Sequence, residues 1–379
     1  MSLYRGMAGI WLAGLLTLTL WLAYQQLVVA QHIWSLNDWL ISYAGGFVRR
    51  GLPGQVVLTL PFPPVWTVFA IVGSTTTIYL ICVWRFIVRA KPDPMHWFLL
   101  ACPALFLFPI TDVDGAFRKE ILFYAYYAIV LHLVLAKRMV VPTVSILPLL
   151  ILSHEALIAL APALLFPLSQ VSLSRNEKLW VICVALASIA AFAFSVLHTT
   201  NSAQIAVMCE AMTNHGSMKT TAQECVQSGA LSWIDKPISF GWSRVLERAP
   251  DYLADLPWLL ALLAVPLVAN IGTIVRFFKA DPVGAAAFRY GLIASLILWV
   301  PLYCVATDWG RWLSMQLSVL CLQILYMSCL TPAAPARWKW YAAAVLVPIY
   351  ATVWQLGHYH DLLRPGIALT LAGIVPVTP

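Results

Sequence analysis

Charged side chains are scarce in this sequence. Only 10% of its 379 residues are Asp, Glu, Lys or Arg, whereas 61% are hydrophobic, and the mean hydropathy is +0.82. A soluble globular domain carries charge on about a quarter of its residues, so the composition excludes that class. The apolar runs have helix length, about 15 to 24 residues, and a backbone in lipid must satisfy its own hydrogen bonds. The sequence therefore predicts an all-α polytopic membrane protein.

Several features of other protein classes are missing. No glycine-rich phosphate loop with its lysine is present, and no loop on the predicted inner side is long enough for a nucleotide-binding fold. These absences argue against an ATP-driven machine. The net charge of +7 comes from basic residues scattered in short loops, without a basic tail or stripe. Nucleic acid is therefore not an expected partner.

The apolar runs predict about eleven transmembrane helices within one integral membrane domain, residues 1–379. The first run is too long for a signal-peptide core, so we expect it to be retained. The fifth and sixth runs are too short to span alone and are expected to be a hairpin or a broken, re-entrant segment. The predicted helices are about 6–30, 64–84, 96–110, 120–136, 140–152, 156–169, 179–197, 257–275, 288–306, 312–330 and 338–356.

The distribution of basic residues predicts the orientation. With the N-terminus inside, the inner loops contain 13 of the 23 Lys and Arg residues but only three of the 16 acidic ones. Inner loops of membrane proteins are enriched in Lys and Arg, so we expect the N-terminus inside and the C-terminus outside. The long loop 198–256 then lies outside. Its stretch SRVLERAPDYLADL is amphipathic and is expected to lie on the membrane surface.

Two of the eight cysteines lie in that polar loop, and the other six fall within apolar runs. A cysteine in an apolar run is usually a small buried hydrophobe. Because both lie in this loop, an oxidising environment there would favour a disulfide between Cys209 and Cys225.

The stretch NDWLISYAGGFVRRGLPG, residues 37–54, concentrates charge directly after the first helix. Asp38 could be a general base for a hydroxyl acceptor, and Arg49 with Arg50 could hold a phosphate. The glycines at 45, 46, 51 and 54 would let the backbone approach a ligand. In the alternative, the arginines bind lipid headgroups and Asp38 caps a helix or pairs with one of them.

A second charged cluster is TDVDGAFRKE, residues 111–120. Asp112 and Asp114 could contribute to a hard-cation site, although two acids cannot close a metal shell, and an ordinary solvated turn is the alternative. Arg118 and Lys119 would suit a phosphate. Together with Glu120 they enter the next apolar run directly, which favours a buried polar role.

Two further clusters lie beside apolar runs on the predicted outer side. His154 and Glu155 could act on an acceptor hydroxyl, or His154 could be an interhelical hydrogen-bonding residue. In TDWGRWL, Asp308 and Arg311 are one helical turn apart and could pair. The tryptophans there could stack on a sugar or prenyl chain or belong to an interfacial belt. A last cluster, GHYHDLLRPG, contains His358, His360 and Asp361, and its spacing disfavours a metal site. The substrate-binding residues predicted from these outer clusters are Arg49, Arg50, Arg118, Lys119, Glu120, Asp308, Trp309 and Arg311.

An acidic external loop after the first helix, about eleven helices and one large external loop resemble the layout of the GT-C superfamily. These are membrane glycosyltransferases that use polyprenyl-phosphate-linked sugars. The strings GGFVRRGL, RKE, HE and DWGRW also resemble bacterial membrane proteins of polysaccharide loci. The resemblance covers most of the chain and assigns the first-loop acid to Asp38. Many members have an adjacent acid pair there, whereas this chain has Asn37 and Asp38, so a divalent cation is possible but not required.

The resemblance implies a transferase in the bacterial cytoplasmic membrane that moves a sugar from a polyprenyl-(di)phosphate donor to a glycan or lipid-glycan acceptor outside. Its partners would be that donor, that acceptor and membrane lipids. A polysaccharide polymerase or ligase would use similar chemistry. A transporter or flippase for lipid-linked sugars is a further alternative, although transporters place polar residues on interrupted helices at mid-membrane. A non-catalytic partner of a polysaccharide assembly is the remaining one.

Overall fold

The computed structural model describes residues 2–138, 140–198, 200–215, 218–359 and 361–371. His360 and the predicted external C-terminus, 372–379, lie outside these residues. The α-helices of the first half are α1 Ser2–Tyr24, α2 Ile33–Leu40, α3 Gly51–Thr59, α4 Pro64–Arg89, α5 Trp97–Leu100, α6 Phe108–Thr111, α7 Glu120–Leu135, α8 Val140–Val144, α9 Leu147–Ser153 and α10 Leu165–Ser169.

The second half is also helical, with one small hairpin. Its α-helices are α11 Arg175–Leu197, α12 Ser202–Thr213, α13 Ala222–Gln227, α14 Ile238–Ala269, α15 Ile271–Ala280, α16 Pro282–Val305, α17 Trp309–Leu330, α18 Arg337–Val353 and α19 Ile367–Leu371. A π-helical turn covers Gln25–Val29, and 3₁₀ helices cover Pro94–His96, Glu155–Leu164 and Leu231–Trp233. Strands β1 Trp354–Leu356 and β2 Leu363–Pro365 pair antiparallel.

The chain is a helical, multi-pass membrane protein. Six helices in the described residues are long and apolar enough to cross a membrane: α1 with its π turn, α4, α11, α14, α16 and α17. The exposed side chains of α11 are largely apolar, among them Leu179, Trp180 and Leu186, as expected of a surface that faces lipid. By contrast, α17 is mostly buried and lies at the centre of the main hydrophobic core.

Local sequence explains where several of these helices begin. At α11, the Ser174 hydroxyl accepts the Glu177 N–H, and the Glu177 carboxylate accepts the Ser174 N–H, which is a complete capping box. At α16, the Asp281 carboxylate accepts the Gly284 N–H, and Pro282 occupies the first turn, where no backbone donor is needed. These contacts satisfy backbone donors that the helices leave unpaired at their N-termini.

The structure differs from the helix prediction in several places. The predicted helix 257–275 is divided at Asn270 between α14 and α15, and the end of the predicted helix 338–356 forms β1. The run 96–110 is not one helix: it is divided into short helical segments and turns, with Pro103 and Pro109 inside it. The stretch SRVLERAPDYLADL is not a separate surface helix, because α14 runs through it from Ile238 into the apolar span that ends at Ala269. The sequence did not indicate that this polar stretch and the apolar run form one helix, and its position on the membrane surface remains a prediction. The total of eleven transmembrane helices remains a prediction.

The loop 198–256 contains the Cys209–Cys225 disulfide, with an S–S distance of 2.09 Å between α12 and α13. This region packs on the start of residues 37–54. A Cβ added to Gly45 would lie 2.6 Å from the carbonyl oxygen of Gln204, so the contact requires a residue without a side chain. The Arg49 guanidinium donates to the carbonyl oxygens of Trp233 and Ile234 at 3.2 and 3.4 Å. The disulfide region therefore covers the charged stretch.

Candidate active site

Helix α2 places Asp38 inside the protein. Its neighbour Trp39 is fully buried and donates its indole N–H to the carbonyl oxygen of Phe117 at 2.7 Å. This contact joins residues 37–54 to residues 111–120, the first two charged clusters. As a result, Asp38 is fully buried close to Arg118 and Lys119, whose charges act on it.

Arg50 connects Asp38 to the third cluster. Its guanidinium donates to both oxygens of Glu155 at 2.7 to 3.0 Å, and its Nη1 lies 3.7 Å from Oδ1 of Asp38. The fork of an arginine matches a carboxylate well, so Glu155 is its principal partner. The Lys119 ammonium donates to the carbonyl oxygen of Arg50 at 2.8 Å.

Glu120 connects the remaining two clusters. Its Oε1 lies 3.4 Å from Nε2 of His154 and 3.3 Å from Nη1 of Arg311, and Arg311 pairs with Asp308 at 2.6 Å. Nδ1 of His154 accepts the Ala156 N–H at 3.2 Å. Neutral His154 therefore carries its proton on Nε2, which faces Glu120. Four of the five sequence clusters thus meet in one buried network.

The network has an excess of positive charge. It combines five cations with four carboxylates, counting His154 as neutral, so it has one positive charge more than its own carboxylates balance. Arg49 is one-third exposed to solvent, whereas Arg118 is buried and forms no ion pair within the described residues. A buried cation without a counter-ion is costly, which favours an anionic ligand beside Arg118. The cations are Arg49, Arg50, Arg118, Lys119 and Arg311, and the carboxylates are Asp38, Glu120, Glu155 and Asp308.

Six buried side chains of the site have a polar atom without a hydrogen-bond partner in the described residues. In Glu120, His154 and Arg311, such atoms face one another at 3.3 and 3.4 Å, which leaves Asn37, Asp38 and Arg118. Within the described residues, neither oxygen of Asp38 and neither amide atom of Asn37 has a hydrogen-bond partner, although both side chains are fully buried. Arg118 is 7% exposed; its Nε has no hydrogen-bond partner, and the guanidinium forms no ion pair with a carboxylate of the described chain. Buried polar groups are normally satisfied, so these three are the candidates for ligand contact.

Electrostatics keep Asp38 ionised. Burial raises its pKa, but the charges of Lys119 and Arg50 outweigh burial and hold the pKa below the ordinary aspartate value. Burial also lowers the pKa of Lys119 to about 8. An ionised carboxylate without a hydrogen-bond donor can accept a proton, provided that the acceptor hydroxyl reaches it.

An apolar cavity of about 80 Å³ ends at this network. Side chains of α1, α4, α7 and α17 line it, and its charged end consists of Arg118, Glu120 and Arg311. Tyr124 and Ser314 also line it. The remaining lining residues are Leu15, Thr19, Val72, Thr76, Tyr79, Leu80, Leu105, Phe106, Phe108, Pro109, Gly115, Ala116, Phe117, Ile121 and Ser318. An apolar cavity with cations at one end suits an amphiphile with an anionic group.

The structure assigns the other predicted residues to structural contacts. Asp112 accepts hydrogen bonds from the backbone and ring of His358, the latter at 2.8 and 2.9 Å, and Arg364 lies 3.7 Å away. Asp114 is well exposed and lies 3.6 Å from His32. The part of the chain that the structure describes contains no group of three or more His, Cys, Asp or Glu side chains that could hold a metal ion. The contacts of Asp112 with His358 and of Asp114 with His32 therefore give no support to the hard-cation site that their spacing suggested.

Trp309 also differs from the prediction. Its indole N–H donates to the carbonyl oxygen of Tyr303 at 2.9 Å, and its ring packs on Tyr252 and Tyr303. Packing of this kind fixes the start of α17, and with it Arg311. A stacking role of Trp309 on a sugar has no support in these contacts.

The glycines of residues 37–54 serve packing within the protein. A Cβ at Gly51 would lie 2.3 Å from the Tyr43 ring, and one at Gly54 would lie 2.0 Å from the Ile41 carbonyl oxygen. Sequence analysis also gave no role to Asn37 or to the hydroxyls of Tyr124 and Ser314. The position of Asn37 beside Asp38 was a signal in the sequence for a role of Asn37. Tyr124 and Ser314 had no such signal, because the cavity forms between helices that are distant in sequence.

No protein-family model matches the chain, and neither a curated protein nor a solved structure matches it. Function must therefore be argued from the chemistry of the site.

Proposed function

We propose that the protein is a membrane glycosyltransferase of GT-C-like layout that takes a sugar from a polyprenyl-phosphate-linked donor. The observation that supports this most is the position of Asp38. Asp38 is a fully buried, ionised carboxylate that accepts no hydrogen bond from the described residues. It belongs to the network with excess positive charge, and other members of that network, Arg118, Glu120 and Arg311, form the charged end of the apolar cavity. A donor with an apolar chain and a phosphate would match the cavity and the charge together.

In the proposed reaction, Asp38 accepts the proton of the acceptor hydroxyl while that oxygen attacks the anomeric carbon. The bond between the anomeric carbon and the phosphate oxygen breaks, and the phosphate departs with the electron pair. Arg118 and Arg311, at the charged end of the cavity, stabilise the charge that develops on it. Arg50 takes a different part from the one its sequence suggested, because its guanidinium is bound to Glu155.

Arg118 provides the test of the donor site. We expect Arg118→Met to lower turnover of a polyprenyl-phosphate sugar about 100- to 1,000-fold, as for loss of one charge-stabilising donor. The measurement is transfer of radiolabelled sugar by the purified protein in lipid nanodiscs, with a diphosphate-linked donor in parallel. Arg244→Met is the matched control, because Arg244 is about half exposed, pairs with Glu247 at 2.8 Å and lies over the Phe240 ring, outside the network.

Full turnover by Arg118→Met would contradict the donor site. Transfer of a whole glycan from the diphosphate donor alone would favour a polymerase or ligase instead. Movement of the donor across a vesicle membrane without any transfer would favour a flippase.

We also propose the orientation with the N-terminus inside, in a bacterial cytoplasmic membrane, so that the loop 198–256 and the site face outward. The charge asymmetry of the loops supports it. With Cys183 replaced by Ser, a cysteine introduced at the exposed Gln223 is expected to react in intact cells with a membrane-impermeant maleimide. A cysteine at the exposed Asn176 is expected to react only after permeabilisation. The opposite labelling pattern would reverse the orientation.

A further inference from the structure

Two residues of the site adopt a backbone conformation that side chains disfavour. Arg50 has φ +65° and ψ +9°, and Phe117 has φ +57°. Residues with a Cβ seldom enter this left-handed region, and when they do, the surrounding structure must hold them there. Arg50 is the residue that contacts Glu155 and Asp38, and Phe117 directly precedes Arg118.

Each of these two residues is held by a side chain from the other's segment. The Trp39 indole N–H donates to the carbonyl oxygen of Phe117 at 2.7 Å, and the Lys119 ammonium donates to the carbonyl oxygen of Arg50 at 2.8 Å. Both donors are fully buried. We call this pair of hydrogen bonds, Trp39 to Phe117 and Lys119 to Arg50, the reciprocal clasp.

The clasp lies between the groups that the proposed reaction uses. Asp38 is adjacent to Trp39, and Arg118 is adjacent to Lys119. The two hydrogen bonds therefore fix the distance between the Asp38 carboxylate and the Arg118 guanidinium. The Lys119 ammonium donates to a carbonyl oxygen within the protein. Lys119 therefore has a different role from the phosphate contact that its sequence suggested. Misplacement of reacting groups by about 1 Å can cost about 100-fold in rate.

We propose that Trp39 and Lys119 are positioning residues. Their hydrogen bonds to the carbonyl oxygens of Phe117 and Arg50, the two residues of the site with positive φ, hold Asp38 and Arg50 of one segment at a fixed distance from Arg118 of the other. This inference rests on the proposed function for its rate measurements. Its structural part, the fixing of two segments to each other, can be measured without any substrate.

The substrate-free measurement is hydrogen–deuterium exchange of the full chain in lipid nanodiscs. We expect Lys119→Met and Trp39→Phe each to raise amide exchange at least about tenfold in residues 37–54 and 115–120, while exchange in the buried helix α17 stays unchanged. Lys178→Met is the matched control, since Lys178 is exposed at the start of α11. Unchanged exchange in the two segments, or a uniform increase that includes α17, would overturn the clasp.

The rate measurements separate positioning from substrate binding. Both variants are expected to lower kcat about 100-fold with little change in KM. The wild-type rate is also expected to fall as the pH rises through about 8, because the buried Lys119 then loses its proton and its charge beside Asp38. The charged groups that act on Lys119 are Asp38, Arg50, Glu120 and Glu155. In Lys119→Met this decrease of the rate above about pH 8, the basic limb of the pH–rate profile, should be absent.

The outcomes distinguish the two proposals. If the wild-type protein transfers no sugar from any donor, the proposed function fails, and the exchange measurement alone decides the clasp. If the wild-type protein is active and Lys119→Met keeps its kcat and the basic limb, the positioning role is wrong.

Discussion

Asp38→Asn is expected to lower glycosyl transfer about 100- to 10,000-fold, the usual contribution of a general base. The amide has nearly the shape of the carboxylate but cannot accept the proton of the acceptor hydroxyl. The variant should still fold, because Arg50 retains its hydrogen bonds to Glu155 and Asp38 accepts no hydrogen bond from the described residues. The measurement is kcat with a polyprenyl-phosphate sugar, together with the melting temperature of the purified protein.

Asp251→Asn is the control for this loss. Asp251 is exposed on α14, where its contact is an ion pair with Arg248 at 4.0 Å, and its replacement should leave kcat unchanged. Turnover of Asp38→Asn within about threefold of wild type would remove Asp38 from the reaction. If Asp38→Asn loses turnover and also unfolds, Asp38→Glu decides between the two causes. This variant restores a carboxylate and should recover part of the rate if Asp38 is the base.

Arg311→Met is expected to lower the free energy of unfolding by about 3 to 5 kcal/mol, the usual cost of removing one partner from a buried ion pair. Arg311 is 4% exposed and is the cation beside Glu120 at 3.3 Å and Asp308 at 2.6 Å. Without it, two carboxylates keep their charge inside the protein with less compensation. The measurement is unfolding of the protein in mixed micelles by titration with SDS.

The chain itself provides the control for this stability prediction. Arg244 and Glu247 also form an ion pair three residues apart, at 2.8 Å, but both side chains are about half exposed. Replacement of Arg244 by Met should cost about 0 to 1 kcal/mol, because water compensates an exposed charge. Equal losses for the two variants would show that the buried network does not stabilise the fold.

Both predictions concern residues that could be selected as site residues from the sequence alone. Asp38, Arg118, Glu120, His154 and the Asp308–Arg311 cluster could be selected because a charge beside an apolar run is costly and hence uncommon. That rule selects residues one at a time. It could not show that Arg50 contacts Glu155 rather than a ligand, because the two residues are 105 positions apart. It also could not separate Arg118, which has no carboxylate partner in the described chain, from the neighbouring Lys119, which donates to a carbonyl oxygen.

Two expectations at the periphery that the contacts do not support have the same origin. Asp112 and Asp114 have the spacing of a cation loop, but His358, from the hairpin near the C-terminal end, binds the first of them. The polar half of α14 has the composition of a surface segment, but it is the beginning of a membrane-length helix. In both cases a local pattern was compatible with two structures, and a contact distant in sequence or the continuation of the helix selected one.

The sequence by itself determined the membrane class, the approximate position of most long helices and the set of buried charges. Transfer from water to lipid is nearly additive over residues, so composition and run length suffice for it. Only the tertiary structure decided which charges neutralise each other, which remain unpaired and where a cavity lies. These depend on contacts between segments far apart in sequence, such as Lys119 with Arg50 over 69 positions and Arg50 with Glu155 over 105 positions. A hydrogen bond weakens steeply with distance and angle, so a shift of about 1 Å decides whether Asp38 is a hydrogen-bonded partner of Arg50 or a free base.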